Sequence, residues 1–266
     1  MTKNWLYVVA AIALLGRPAA ADVWDIQGDN DDATGTDNEL VHGTVQTHDL
    51  GVRPGPVADQ DWYRMPQKRQ ASYEVVIDGT SGDIGTAGPG LELQRIADNG
   101  TTVLQSADAA VTGSLGYSRA LRWANTTSST AIEFIRVSGG VCGTNCGSDD
   151  EYTMRVRETT VNLARFNATG GQITVLLIQN ASERPVNATV FYWNAAGTLL
   201  QTGTLTAHPA KALNVFNVAN LPAVAGQSGS ITVAHDGGYG GLVIKTVALE
   251  PATGFSFDTP GVYVPN

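Results

Sequence analysis

No stretch of this sequence sustains an apolar period of 3.6 residues; what recurs is short apolar runs and strict alternation. "EYTMRVRET" puts Tyr152, Met154 and Val156 on one side of an extended chain and Thr153, Arg155 and Arg157 on the other. A helix cannot bury such a pattern, and a strand can. "SYEVVIDG" is a second strand closed by Asp-Gly, and "GLELQRIADNGTTVLQS" reads as two strands around the turn Asp98-Asn99-Gly100. "SRALRWANT" and "TAIEFIRVSGG" add two more.

After Thr160 the texture changes to "GQITVLLIQNAS", "VNATVFYWNAAGTLLQTGTLTAHP", "KALNVFNVANL", "SGSITVAHDGGYGGLVIKTVALEP" and "GFSFDTPGVYVPN". That is about six or seven short strands, with turn signals roughly every 8–12 residues. The expected fold is all-β: two tandem antiparallel β-sandwiches over 22–159 and 160–266. Composition agrees. Only 15% of residues are charged and 30 are Gly, and β-branched residues suited to a pleated surface are plentiful.

The N-terminus carries Lys3, an apolar run from Trp5 to Leu15, then Gly16-Arg17-Pro18 and Ala19-Ala20-Ala21. This is the layout of a cleaved signal peptide over residues 1–21. The run is shorter than the roughly 20 residues a membrane span needs. The expected location is therefore secreted or periplasmic, with no transmembrane anchor after cleavage. The chain holds 16 basic and 25 acidic residues. Without Lys3 and Arg17 that is 14 against 25, a charge of −11. Such a surface repels phosphate backbones, so nucleic acid is not an expected partner.

The two cysteines, Cys142 and Cys146, lie in "GGVCGTNCGSDD". They are too few for a four-ligand zinc site without a nearby His. In an exported protein a small disulfide loop is the natural reading. Five Asn-x-Ser/Thr sequences, at Asn99, Asn125, Asn167, Asn180 and Asn187, fit the turn chemistry of Asn and Thr.

In "DQDWYRM", alternation sends Asp61, Tyr63 and Met65 one way and Trp62 and Arg64 the other. Trp62 and Tyr152 are the expected core anchors. The order of "DIQGDNDDATGTDNEL", "VHGTVQTHDL", "DQDWYRM", "ASYEVVIDG" and "DDEYTMRVRE" resembles the bacterial pre-peptidase C-terminal (PPC) domain over about residues 24–158. Asp59, Asp61, Trp62, Tyr63 and Tyr152 sit at its motif positions. The Cys142–Cys146 loop departs from that pattern. The resemblance implies a jelly-roll-like sandwich of the kind that accompanies secreted peptidases without being catalytic, with some members binding calcium or matrix polymers. The C-terminal half is loosely similar to bacterial Ig-like modules.

The candidate metal ligands are Asp29, Asp31, Asp32, Asp37, Asp59 and Asp61, carboxylates interspersed with Asn and Gly that could supply a Ca²⁺ ion with oxygens. The EF-hand spacing is not met, and a solvated acidic segment is the competing reading. For catalysis, "GQSGS" misses the nucleophile elbow, "HDGG" reads as a turn, and no H-E-x-x-H or phosphate-loop motif occurs. His42 and His48 have no partner set in sequence. The function expected is a non-catalytic binding or structural protein of the bacterial envelope or exterior, its partner a surface polymer, an envelope protein or another copy of itself. The alternatives are a calcium-dependent adhesion or matrix module, and a secreted hydrolase or peptidase accessory protein.

Overall fold

The computed structural model describes residues 34–51, 59–82, 84, 91–107, 118–140 and 146–265. Residues 1–21, expected to be a signal peptide, and Asp29, Asp31, Asp32 and Cys142 lie outside the described residues. Within them the chain is built from seventeen strands and a short 3-10 turn at Val218–Asn220. No described helix is long and apolar enough to cross a membrane.

The first eight strands are β1 (Val45–Asp49), β2 (Gln60–Gln67), β3 (Ala71–Gly79), β4 (Leu91–Ile96), β5 (Val103–Ser106), β6 (Ser118–Asn125), β7 (Ala131–Gly139) and β8 (Glu151–Glu158). They form two antiparallel four-stranded sheets, ordered β1-β8-β3-β6 and β2-β7-β4-β5. The period-two pattern explains why the sheets face each other. Tyr152, Met154 and Val156 of β8, Val75 and Ile77 of β3, Tyr63 and Met65 of β2, and Ile135 and Val137 of β7 are all buried in one cluster. Each large apolar side chain so buried is worth about 2 kcal/mol before the entropy of ordering it. The partner residues Arg155 and Arg157 stay partly exposed on the outside.

The remaining strands are β9 (Val161–Asn167), β10 (Ile173–Asn180), β11 (Val186–Asn194), β12 (Leu199–His208), β13 (Leu213–Asn217), β14 (Ser228–His235), β15 (Leu242–Glu250), β16 (Phe255–Pro260) and β17 (Val262–Tyr263). These nine exceed the six or seven read from sequence, because "VNLARFN", in which no strand was read, forms β9, and the short C-terminal run is cut into β16 and β17. They pair as β13-β10-β15-β16 and β12-β11-β14-β9-β17, around a second core that includes Leu176, Ile178, Val190, Tyr192, Ile231 and Val233.

The turns follow their sequences. Gly100 and Gly197 sit at φ of 70° and 77° in the β4–β5 and β11–β12 hairpins, where a residue with a Cβ is strained. Four of the Asn-x-Ser/Thr sequences are one repeated turn. Asn99, Asn125, Asn167 and Asn180 each accept, on Oδ1, the backbone N–H and the hydroxyl of the Ser or Thr two residues on. Asn187 instead accepts from the Ala207 amide.

β2 settles the alternation of "DQDWYRM". Asp61, Tyr63 and Met65 face the main core. Trp62 is buried on the opposite side of the sheet, in a small cluster with Ile96 and Phe134, and the Arg136 guanidinium lies 5.4 Å from its ring centre. It anchors a satellite cluster, and Tyr63 takes the central place.

Candidate functional site at the junction of the two sandwiches

Only Thr159 and Thr160 separate β8 from β9, and both are buried. Buried backbone needs partners, and β3 supplies them. The Thr159 amide donates to the Ser72 carbonyl at 2.7 Å, and the Ser72 amide donates to Thr160 Oγ1 at 2.9 Å. His42 adds a strap: its Nδ1 accepts from the Glu158 amide at 2.7 Å and its Nε2 donates to the Pro265 carbonyl at 2.9 Å. The crossing is thus pinned from both modules, and β14 packs against β3 and β6.

The loop between β14 and β15, residues 236–241, carries the rest of the junction. Glu74 on β3 is almost wholly buried. It receives Arg122 Nε of β6 at 2.7 Å and the Tyr239 amide at 3.2 Å. A buried carboxylate is costly unless paired in this way. The Arg157 guanidinium sits 5.0 Å from the Tyr239 ring centre, an arrangement the ring quadrupole favours. On the other side Tyr239 packs on Tyr263 at 4.9 Å and donates its hydroxyl to the Val264 carbonyl at 3.1 Å. Tyr263, its own hydroxyl tied to the Leu242 amide and carbonyl, has its pKa pushed up to about 12, chiefly by burial.

Gly238 must lack a side chain here: a Cβ would lie 2.9 Å from Glu74 Oε1 and 3.1 Å from Arg122 Nε. Asp236 is held by the Asn187 amide at 2.7 Å and by Asn187 Nδ2 at 2.6 Å. His235 lies beneath the loop, fully buried, with Nδ1 accepting from the Gly237 amide at 3.1 Å. Burial lowers its pKa to about 4, the nearby Asp236 charge opposing this only in part. It is neutral at pH 7 and faces Tyr263 edge-on.

Beside this braced loop lies an open cavity of about 580 Å³, lined by Gln105, Ser106 and Arg122 from the first sandwich and Ser182, Arg184 and Tyr239 from the second. Its size is that of a small-ligand site. Its lining offers hydrogen-bond donors and acceptors and side chains of both charges, Arg122 and Arg184 beside Glu183 and Asp236.

A second polar cluster lies inside the first sandwich. Tyr152 donates its hydroxyl to Asp61 Oδ2. A tyrosine has one hydroxyl proton, so across the 2.5 Å contact it is Tyr63 that donates to Tyr152. His48 packs against both rings, edge-on to Tyr63 at 5.1 Å and stacked on Tyr152 at 5.7 Å. Burial first, and the Asp61 charge second, hold the Tyr152 hydroxyl well above the usual tyrosine range. These groups tie β1, β2 and β8 together.

Of the described candidate metal ligands, Asp37 is exposed while Asp59 and Asp61 are buried. Asp59 Oδ1 accepts from the Gln60 amide, and Asp61 is engaged by Tyr152. Among the described residues no three His, Cys, Asp or Glu side chains stand close enough together to hold a metal ion. Cys146 is buried and is not a free thiol.

Glu74, Arg122 and Arg157 were not legible as a site in sequence, because Glu74 and Tyr239 are 165 residues apart. The signal that could have marked the place is the glycine cluster "GGYGG", where a close backbone approach leaves no room for side chains.

No protein-family model matches the chain, and no curated protein does. Among solved structures it is similar to the full extracellular region of zebrafish Gpr126/Adgrg6 at 8% identity and TM-score 0.22, covering 83% of this chain and 30% of that one. It is also similar to a β-glucuronidase of Parabacteroides merdae at 10% identity and TM-score 0.18, covering 76% and 27%. The chain spans under a third of the length of either, and likeness at this level carries no functional argument.

Proposed function

We propose that this chain is a secreted, non-catalytic binding protein of the bacterial exterior that holds a cell-surface polymer in the cleft between its sandwiches. One observation carries the reading. The 580 Å³ cavity is walled by both modules, and its loop is braced by Glu74 and Arg157 across the junction. A rigid, polar, two-sided cleft suits a hydrogen-bonding chain of repeating units, since pre-ordered groups lose little entropy on binding. The PPC-like reading of the first sandwich belongs to the same proposal, supported by the meeting of its motif residues Asp61, Tyr63 and Tyr152 in the core. So does a Cys142–Cys146 disulfide, supported by the absence of a free thiol at Cys146.

The test is co-sedimentation of the purified chain with insoluble peptidoglycan and with whole envelope fragments. Ser106→Trp plugs the cleft from an exposed position on β5, and Thr202→Trp, at an exposed position on β12, is the control. Retention lost by the first variant and kept by the second supports the reading. Equal retention of both variants moves the site elsewhere. Retention that protease treatment of the envelope abolishes names a protein partner instead, and no retention at all removes the function.

A further inference from the structure

We infer that the outer face of the sheet β13-β10-β15-β16 is a self-association surface, at which two copies of this chain pack sheet to sheet. This face lies apart from the cleft. On a solvent-facing sheet surface, alternation should bring polar residues outward. Along the middle of β12 in the same module the exposed positions Thr202, Thr204 and Thr206 obey this, and Leu199, at the strand's start, is its one large exposed apolar side chain. The β13-β10-β15 face does not. Leu213 and Val215 of β13 are 56% and 55% exposed, and Val243 and Leu249 of β15 are 56% and 37% exposed. Leu177 and Val247 lie among them, partly covered by their neighbours.

The register makes these one patch. Val215 pairs with Leu177 and Leu177 with Lys245 in one row; Leu213 and Val243 flank Gln179 in the next. Lys245 is closed by an ion pair to Asp258 of β16 at 2.6 Å. The face therefore carries an internally neutralised pair, on a chain whose net charge is −9. Two identical acidic proteins repel at most orientations, and this orientation opposes apolar surface to apolar surface.

The area fits a modest dimer. Four strands about 4.8 Å apart and four rows of alternate residues give a face of roughly 19 by 27 Å, about 500 Å² per copy. A pair covers about 1,000 Å², at the threshold for a specific interface and well below the roughly 1,600 Å² of a standard one. The association is therefore weak and depends on concentration. Its packing is that of two sheets about 10 Å apart with strands inclined by about 30°.

The test is sedimentation equilibrium of the full chain across the micromolar to millimolar range, with Val215→Asp, Val243→Thr and the opposite-face control Thr204→Asp. The expected result is a dimer that Val215→Asp and Val243→Thr each weaken at least tenfold, while Thr204→Asp leaves it unchanged. Circular dichroism checks folding; Val243→Thr keeps a β-branched residue and remains informative if Val215→Asp does not fold. A monomer at millimolar concentration overturns the inference, as does a dimer indifferent to both face variants. A monomer that floats with phosphatidylglycerol–phosphatidylethanolamine vesicles, and ceases to as Val243→Thr, overturns it in favour of a lipid surface.

Discussion

Replacing Tyr152 by Phe removes one oxygen from the centre of the first sandwich and tests how that core is held. The hydroxyl has two duties. It donates to the Asp61 carboxylate, and it accepts from Tyr63. Loss of a hydrogen bond to a charged group costs about 1.5–3 kcal/mol, and a neutral one about 0.5–1.5 kcal/mol. The ring itself, fully buried, keeps its apolar contacts in Phe. The expected destabilisation is therefore about 2–4 kcal/mol. Tyr63→Phe should be milder, about 1 kcal/mol, because Tyr152 keeps its bond to Asp61. The double variant should cost less than the sum, since both single changes break the Tyr63–Tyr152 bond. Urea unfolding followed by tryptophan fluorescence reads all three, with Trp62 and Trp123 reporting on this sandwich. The reasoning is refuted if Tyr152→Phe lies within 0.5 kcal/mol or so of the parent, or if Tyr63→Phe proves the more damaging.

Two other changes probe different parts of the fold. His235 has a folded pKa of about 4 against about 6.5 when unfolded, so the unfolded state binds the proton first. Its neutral burial stabilises fully above pH 6.5, and that stability drains as pH falls toward 4, by roughly 3 kcal/mol in all. His235→Gln should flatten the melting-temperature profile over that window; a parent profile flat from pH 7 to 4.5 contradicts this. In β14, a Cβ on Gly229 would stand 1.8 Å from the Trp193 carbonyl oxygen, whereas one on Gly203 meets nothing nearer than 4.0 Å. Gly229→Ala should cost more than about 3 kcal/mol by parting β11 from β14, and Gly203→Ala less than about 1 kcal/mol; equal chemical-denaturation midpoints would sink the steric argument.

Which parts of this molecule can be read from sequence follows from the range of the interactions. The β4–β5 hairpin is legible because Asp98-Asn99-Gly100 sets its turn within three residues. β8 is legible because "YTMRVR" shows its buried face directly. In β2 the alternation is equally plain, yet it does not say which face meets the larger core, and Trp62, the bulkier ring, belongs to the smaller cluster. A period of two gives sides but no partners. Asp61 stood out as an acidic residue; that a tyrosine 91 positions later engages it depends on β8 facing β2 across the sandwich. The junction was the least legible part. Glu74, Arg122 and Arg157 are unremarkable in their own segments, and only the docking of β14 on β3 and β6 gathers them around Tyr239.

The proposed cleft exists only if the two sandwiches are locked together, and the backbone amide of Tyr239 reports on that lock. It is donated across the junction to Glu74. Hydrogen exchange at this amide should be slowed at least a hundredfold relative to an unstructured peptide, and Glu74→Gln should speed it while leaving the β10 and β8 amides protected. Exchange at the free-peptide rate in the unaltered protein would mean that the modules are not held against each other and that the cleft is not a fixed site.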